Sequence, residues 1–405
     1  MASSRSAYPA EAFDPRCAEF AADPHPFYAR LRAAGPVHFI EAVGDWWAVD
    51  HAECLAVLGD GRFIKGPASP PEPPPQFAHL PPLQPSMLFR DPPDHTRLRS
   101  LVTTAFTPQV IARLAPRIQA LSDELIDDWL AGAASDLMAA FAFPLPATVI
   151  AEMLGVPRQD RERFKDWSAR FIHMLDGTQP EEVRRDAVTA RFQLLDYFHG
   201  LAAERRRAPT DDLIGRLVAA EEQGDRLSAG EVLDMCALLL AAGHETTTNL
   251  IGAGVLALLR APGGWAWLRG RPDLLPAVVE ELLRYCCPVQ LDGRIAAEDL
   301  ELGGQRIAAG ESVVAVLASA NRDEAVFPHG DRLDFARPRN PHLAFGRGIH
   351  FCLGAPLARL EARLALETLL RRLPGLALDG DRAPVWNRNL VIRGLAELPV
   401  RLGQA

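Results

Sequence analysis

A single uninterrupted helical pattern, from Ser228 to about Arg260, limits this chain more than any other feature. SAGE, residues 228 to 231, opens it as a capping box: Ser228 can accept from the third helical amide while Glu231 reaches back. At 1.5 Å per residue the pattern predicts a rod of about 50 Å, long enough to cross a whole molecule, so other elements must wrap around it. Its middle is not apolar. AAGHETTTN, residues 241 to 249, lies between CALLL and LIGAGVLALL. A polar patch at the centre of a buried helix is costly unless something uses it.

The rest of the chain reads as further helices with short strands between them. A helix is predicted over residues 24 to 34, closed by Gly35, followed by the strand signals VHFI and DWWAVD. Between Gly66 and Pro93 stand eleven prolines, the composition of a stiff surface loop whose length suggests a function. Helical spacing returns from Asp94 to about Leu130, broken near Pro108, and again over 144 to 155, 160 to 176, 181 to 207, 273 to 286 and 354 to 372. Short strands and turns fill 289 to 345, and the tail from 375 to 403 reads as strands. No interior linker stands out. The expected architecture is mainly α, one large domain over residues 1 to 405, built as a helical bundle with a long central helix and small β-sheets.

Composition removes several function classes. The net charge of −9 argues against a general nucleic-acid binder. The six cysteines show no CxxC or regular spacing, which fits reduced thiols rather than a disulfide framework. The first residues lack the apolar core of a signal peptide, and no run approaches the ~20 apolar residues of a membrane span. The expectation is a soluble, cytoplasmic monomer.

FGRGIHFCLG, residues 345 to 354, frames one cysteine with three glycines. Gly346 and Gly348 permit positive φ and close backbone approach. LGAPLARLEARLALETLL then starts a helix, so Cys352 lies near a helix N-terminus, where amides and dipole should lower its pKa and favour thiolate. An anionic sulfur held this way is a nucleophile or a metal ligand. His350 is a possible base, but no third orienting group accompanies it, and a zinc site wants more Cys or His at short spacing. A haem iron needs only one axial thiolate from the protein.

The pattern FGxGxHxCxG resembles the haem-binding signature of the cytochrome P450 family, most closely its soluble bacterial members, and the likeness runs from DPPDHTRLR to RNPHLAFG. The resemblance implies heme b, iron protoporphyrin IX, with Cys352 as its axial ligand. Phe345 would pack over the sulfur, with Gly346 shaping the loop and the Leu353 and Gly354 amides tuning the thiolate. In the central helix HE is not followed by the second His of a zinc protease, since position 248 is Thr. AGHETT instead resembles the family's oxygen-activation motif, in which Glu245 and Thr246 would relay protons through water toward the O2 being cleaved. Many relatives carry Asp where this chain has Glu245. Ala242 and Gly243 would line the cofactor or oxygen, Gly243 leaving a groove at a helix-interior cost of about 1 kcal/mol relative to alanine. Thr247 and Thr248 are expected to bond the carbonyl four residues back, and Thr246 is not. His95, Arg99, Arg294 and His350 would neutralise the two haem carboxylates. Glu281 and Arg284 in EELLRY, with Arg337, resemble the family's buried ExxR network.

The expected activity is that of a haem-thiolate monooxygenase hydroxylating or epoxidising a hydrophobic small molecule of natural-product, terpenoid, steroid or fatty-acid class. The chain has no flavin fingerprint or iron–sulfur spacing, so two electrons must come from separate partners, a ferredoxin or flavodoxin with its reductase. Arg99, Arg113, Arg339, Arg347 and Arg359 would suit an acidic carrier. A peroxide-driven peroxygenase is the nearer rival, disfavoured by the acid–alcohol pair, and a haem-based ligand sensor is the non-enzymatic one. Candidate substrate contacts are Leu83, Leu88 and Phe89 in the proline-rich loop, Leu239 in the central helix, and Val289, Gln290, Leu291 and Val391. Residues 167 to 175 are further candidate walls, and Gln290 and Asp292 are possible contacts for a polar substituent.

Overall fold

The computed structural model describes residues 14–66, 70–132, 135–222 and 227–403. Its axis is the helix Ala229–Arg260, which begins with the capping box in both directions: Ser228 Oγ accepts from the Glu231 amide at 3.3 Å, and Glu231 Oε2 accepts from the Ser228 amide at 2.8 Å. Helices Pro144–Leu154, Glu181–Arg207, Leu275–Cys286 and Ala355–Arg372 pack around it, which buries most of its length. The burial is interrupted at mid-length, where Ala242 is exposed and Gly243, Glu245 and Thr246 are half-buried.

Gly243 also permits a close helix contact. A Cβ built there would stand 2.9 Å from Ile150 Cγ1, so the glycine lets helix Pro144–Leu154 approach closely. The described part of the proline-rich loop lies against the start of the central helix. A Cβ at Gly230 would meet the Pro82 carbonyl at 2.1 Å, and the Gln84 amide donates to Asp234 Oδ2 at 3.3 Å. Arg97 pairs with Glu231 at 2.6 Å, and Arg191 pairs with Asp234.

Five strands form the main sheet, in the order Val37–Ile40, Asp45–Ala48, Ser312–Val316, Leu291–Ala296 and Phe63–Ile64. Only Asp45–Ala48 and Ser312–Val316 run parallel. The edge pairing Ile64↔Ile295 matters most for the site, because it sets Lys65 beside Arg294. The tail forms two two-stranded sheets, Val385–Trp386 with Leu395–Glu397 and Leu376–Leu378 with Val400–Leu402.

Five α-helices were not legible in the sequence: Ala18–Ala22, His51–Gly59, Leu213–Glu222, Gly264–Arg269 and Leu317–Ala320. Each has about three turns or fewer, too short for periodicity to stand out, and tertiary packing holds them. The pattern over 160 to 176 divides into the α-helix Arg161–Phe171 and a tighter turn, Ile172–Leu175. No helix among the described residues is long and apolar enough to cross a membrane.

Candidate active site

Cys352 sits two residues before Gly354, the N-cap of helix Ala355–Arg372. Its amide donates to the Phe345 carbonyl at 2.9 Å, closing the loop on itself. Gly346 and Gly348 both take left-handed backbone, at φ +69° and +70°, but their surroundings differ. A Cβ at Gly346 would meet nothing within 4 Å, whereas one at Gly348 would stand 2.5 Å from the Leu58 carbonyl oxygen. Gly346→Ala should therefore cost the left-handed penalty alone, about 1–2 kcal/mol. Gly348→Ala should add overpacking of about 1–3 kcal/mol. Melting of the haem-loaded proteins should place Gly348→Ala clearly below Gly346→Ala; the reverse order would contradict this geometry.

The sulfur's surroundings correct one expectation. Burial pushes the Cys352 thiol pKa up, and the Gly354 and Ala355 amides with the Arg99 and Arg359 guanidiniums pull it down only in part. Cys352 itself is only half-buried, and a bound metal ion, by its own charge, favours the thiolate. Ala355 takes the place expected for Leu353 among the amides. The Phe345 ring lies under the Arg359 guanidinium, 4.5 Å from ring centroid to Cζ.

Cationic and imidazole groups gather nearby. The His95 and His350 ring centroids are 4.3 Å apart. Arg294 Nη1 reaches Asp292 Oδ1 at 2.5 Å, and Lys65 Nζ reaches the same oxygen at 2.7 Å. Arg99 Nη2 donates to the Phe351 carbonyl at 2.5 Å. Burial and then Lys65, His95 and Arg294 push His350 down to about 3, and burial followed by Arg99 pushes His95 down. Among the described residues His95 Nδ1, His350 Nε2 and Arg294 Nη2 are buried and lack hydrogen-bond partners. Lys65 was not anticipated. Its signal in the sequence is rarity, one of only two lysines in the chain. Asp292, expected as a possible substrate contact, is instead the counter-ion of Lys65 and Arg294.

In the central helix Thr246 Oγ1 donates to the Ala242 carbonyl at 3.1 Å, the local bond expected only of its neighbours. Thr248 Oγ1 has no partner among the described residues. His244 is packed, with Nδ1 2.8 Å from the Leu240 carbonyl oxygen and Nε2 3.1 Å from Ser168 Oγ. Glu245 lines an open cleft of about 300 Å³ with Lys165, His173, Asn249 and Asn389.

The candidate substrate contacts divide. Leu239 and Leu291 are buried, Leu83, Leu88, Val289 and Val391 half-buried, and Phe89 exposed. A bridge between Val289 and Ile392 brings residues 289 and 391 together. Gln290 is spoken for: its amide donates to the Cys287 carbonyl at 2.5 Å and its oxygen accepts from Tyr28 at 3.5 Å. Of the stretch 167 to 175, Ala169, Ile172 and His173 line the cleft beside Glu245.

Beneath the cysteine loop, Arg284 meets Glu281 through two bonds of 2.7 and 2.8 Å and donates to the carbonyls of Asn321, Gly330 and Arg332. Arg337 Nε reaches Glu281 at 3.2 Å, so Arg337 and not Arg339 joins the pair. The Asn321 side chain accepts from the Leu343 amide at 2.6 Å, and the Leu343 carbonyl accepts from Gly346, tying the network to the loop.

Another buried carboxylate lies outside these motifs. Glu361 is 1% exposed and neither of its oxygens has a partner among the described residues. Burial pushes its pKa from 4.5 up to about 8, with Thr247 of the central helix pulling weakly the other way. Its signal was a carboxylate on the apolar stripe Leu357, Leu364, Ala365. The native state holds this proton to higher pH than the unfolded chain, so this contribution to stability is full below about pH 4.5 and is lost as pH rises from there through about 8, by on the order of 5 kcal/mol. Glu361→Gln should flatten that decline in denaturant titrations; an unchanged slope would place the titration elsewhere.

A helical fold around one long rod, with a lone cysteine at the foot of another helix and an unsatisfied cationic rim, is the layout of a haem-thiolate enzyme. The chain belongs to the cytochrome P450 family, whose model matches residues 64–266 and 271–388, and it is a P450 monooxygenase. It is 45% identical to "Cytochrome P450 monooxygenase PikC" of Streptomyces venezuelae, over 95% of this chain and 92% of that protein. It is 43% identical to "Mycinamicin IV hydroxylase/epoxidase" of Micromonospora griseorubida, over 92% and 94%. Among solved structures, P450BioI in complex with an acyl carrier protein ligated to hexadec-9Z-enoic acid superposes with a TM-score of 0.87 at 38% identity, covering 95% of this chain and 99% of that one.

The family implies a haem held by a cysteine thiolate. The residues present fit that group. Three buried nitrogens without partners among the described residues stand beside Lys65, whose nearby carboxylates are Asp292, paired with Lys65 and Arg294, and Asp91, taken up by the Lys65 and Gly66 amides; the unused donors are what two propionates would satisfy.

Proposed function

We propose that this enzyme hydroxylates or epoxidises a hydrophobic small molecule with O2 and two electrons from a ferredoxin or flavodoxin and its reductase, using heme b. Cys352 Sγ would bind the iron, and His95, Arg294, His350 and Lys65 would hold the propionates. The haem, when bound, supplies the one-electron and O2 chemistry, which its thiolate ligand tilts toward O–O cleavage. The observation that carries the reading is the position of Glu245, between the exposed notch at Ala242 and a cleft open to solvent. From there its carboxyl can take a proton from cleft water and pass it inward. Thr246 Oγ1, with its hydrogen committed to the Ala242 carbonyl, keeps lone pairs free to hold the receiving water. A peroxide-driven enzyme needs no such route.

The substrate class follows from the candidate walls, since Leu83, Leu88, Leu239, Leu291 and Val391 are all aliphatic. A relative named for mycinamicin IV and a structural neighbour carrying a fatty acyl chain favour natural-product or lipid-like substrates. Exposed Arg113, Arg339 and Arg347 are available to an acidic electron carrier, while Arg359 is engaged by Glu280 at 2.6 and 2.9 Å. Screening terpenoids, steroids, fatty acids and polyketides for a spin-state shift identifies a ligand to assay. With carrier, reductase and NAD(P)H, Glu245→Gln and Thr246→Ala should each lower product formation roughly a hundredfold, while hydrogen peroxide-driven turnover changes little. Equal loss in both assays, or no carrier-driven product from any binding ligand, would refute the reading.

A further inference from the structure

The proline-rich loop is fastened to the helix Glu181–Arg207 by aromatic stacking. The Phe77 ring lies parallel to Phe192, with centroids 5.7 Å apart and planes within 18°, and Phe192 is fully buried. Phe192, Asp196 and His199 fall at i, i+4 and i+7, one stripe of that helix. The stacking therefore sets the next turn of the loop over the rest of the stripe. His79 Nε2 lies 2.7 Å from Asp196 Oδ1, the His79 and His199 ring centroids are 6.0 Å apart, and one ligand atom from each of the three residues lies within 4.8 Å of the others.

We propose that His79, Asp196 and His199 form a zinc site that staples the proline-rich loop to this helix. Two imidazoles and one carboxylate are a borderline-soft donor set, which suits zinc and disfavours calcium or magnesium, both of which want oxygen ligands. Around a tetrahedral zinc with bonds of about 2.0–2.1 Å, donor atoms stand about 3.4 Å apart. Rotation of the two imidazoles would close the observed spacing to that value; the His79 and Asp196 side chains are 51% and 47% exposed, and His199 is half-buried. The protein fills three positions and leaves the fourth to water. Before the ion arrives, His79 and Asp196 are held together by their own bond, which zinc would replace with two stronger ones. A site of this kind joins a loop to a helix across 117 residues of chain separation. It lies outside the residues assigned to haem, protons or the ExxR network.

The test uses tag-free, haem-loaded protein and zinc alone. Competition against a chromophoric chelator should show one zinc per chain, and His79→Ala and His199→Ala should each weaken it by about a hundredfold or more. Zinc should raise the melting temperature and slow amide exchange in residues 76–84 and 196–203 of the wild type, and do neither in the double variant H79A/H199A. The Soret spectrum should be the same in all of them. Absence of a chelator-competing zinc, or equal zinc affinity in the wild type and the double variant, overturns the proposal.

Discussion

Cys352→Ser should fold with unchanged helix content yet lose the far-red-displaced Soret band of the reduced carbon monoxide complex. Its reductant-driven turnover should fall by at least about a thousandfold, equivalent to ~4 kcal/mol of barrier. The loop explains the size of the loss. Its Gly354 and Ala355 amides and the Arg99 and Arg359 guanidiniums are arranged for an anion, and they oppose the burial that raises the thiol pKa. A serine hydroxyl stays neutral in the same frame, so the donors have no charge to stabilise and the electron donation that a thiolate would supply to a bound haem is lost. A variant that keeps the displaced band would assign the iron to another residue.

Arg284→Ala should give almost no haem-binding protein. The guanidinium is fully buried and makes five hydrogen bonds, two to Glu281 and three to backbone carbonyls. Removing it leaves a carboxylate that is 1% exposed with only Arg337, Asn340 and the Asp334 amide as donors. Breaking one partner of such a pair costs about 3–5 kcal/mol, and each abandoned carbonyl about 1–3 more. That total rivals a native stability of about 5–15 kcal/mol. Arg284→Lys keeps the charge but not the planar fork, so it should recover only part of the loss. Urea titration with haem retention as a second readout checks both, and a change within about 1 kcal/mol for Arg284→Ala would show the network to be dispensable.

The elements read most reliably were those whose signals are local. The capping box at Ser228 and Glu231, the long periodicity behind it, and helices such as Glu181–Arg207 and Ala355–Arg372 need only neighbours in the chain. Short helices such as His51–Gly59 carried too few turns to announce themselves. Candidate site residues followed the same division. Cys352, His95, Arg294 and Glu281 were marked by motif, whereas for Gln290 and Asp292 one partner each is local, Cys287 and Arg294, and the other, Tyr28 and Lys65, lies more than two hundred residues away in sequence.

What the chain settled unaided was therefore composition and pattern: one cysteine in a glycine frame, a polar break in a long rod, and helices enough to enclose both. The three-dimensional arrangement decided which groups spend their hydrogen bonds inside the protein and which keep them free. It gave Gly243 to a helix contact, Asp292 to two cations and Thr246 to a carbonyl, and it left His95 Nδ1, His350 Nε2 and Arg294 Nη2 without partners among the described residues. It also raised the pKa of Cys352, because burial depends on every segment that packs nearby and not on the residues that flank the sulfur.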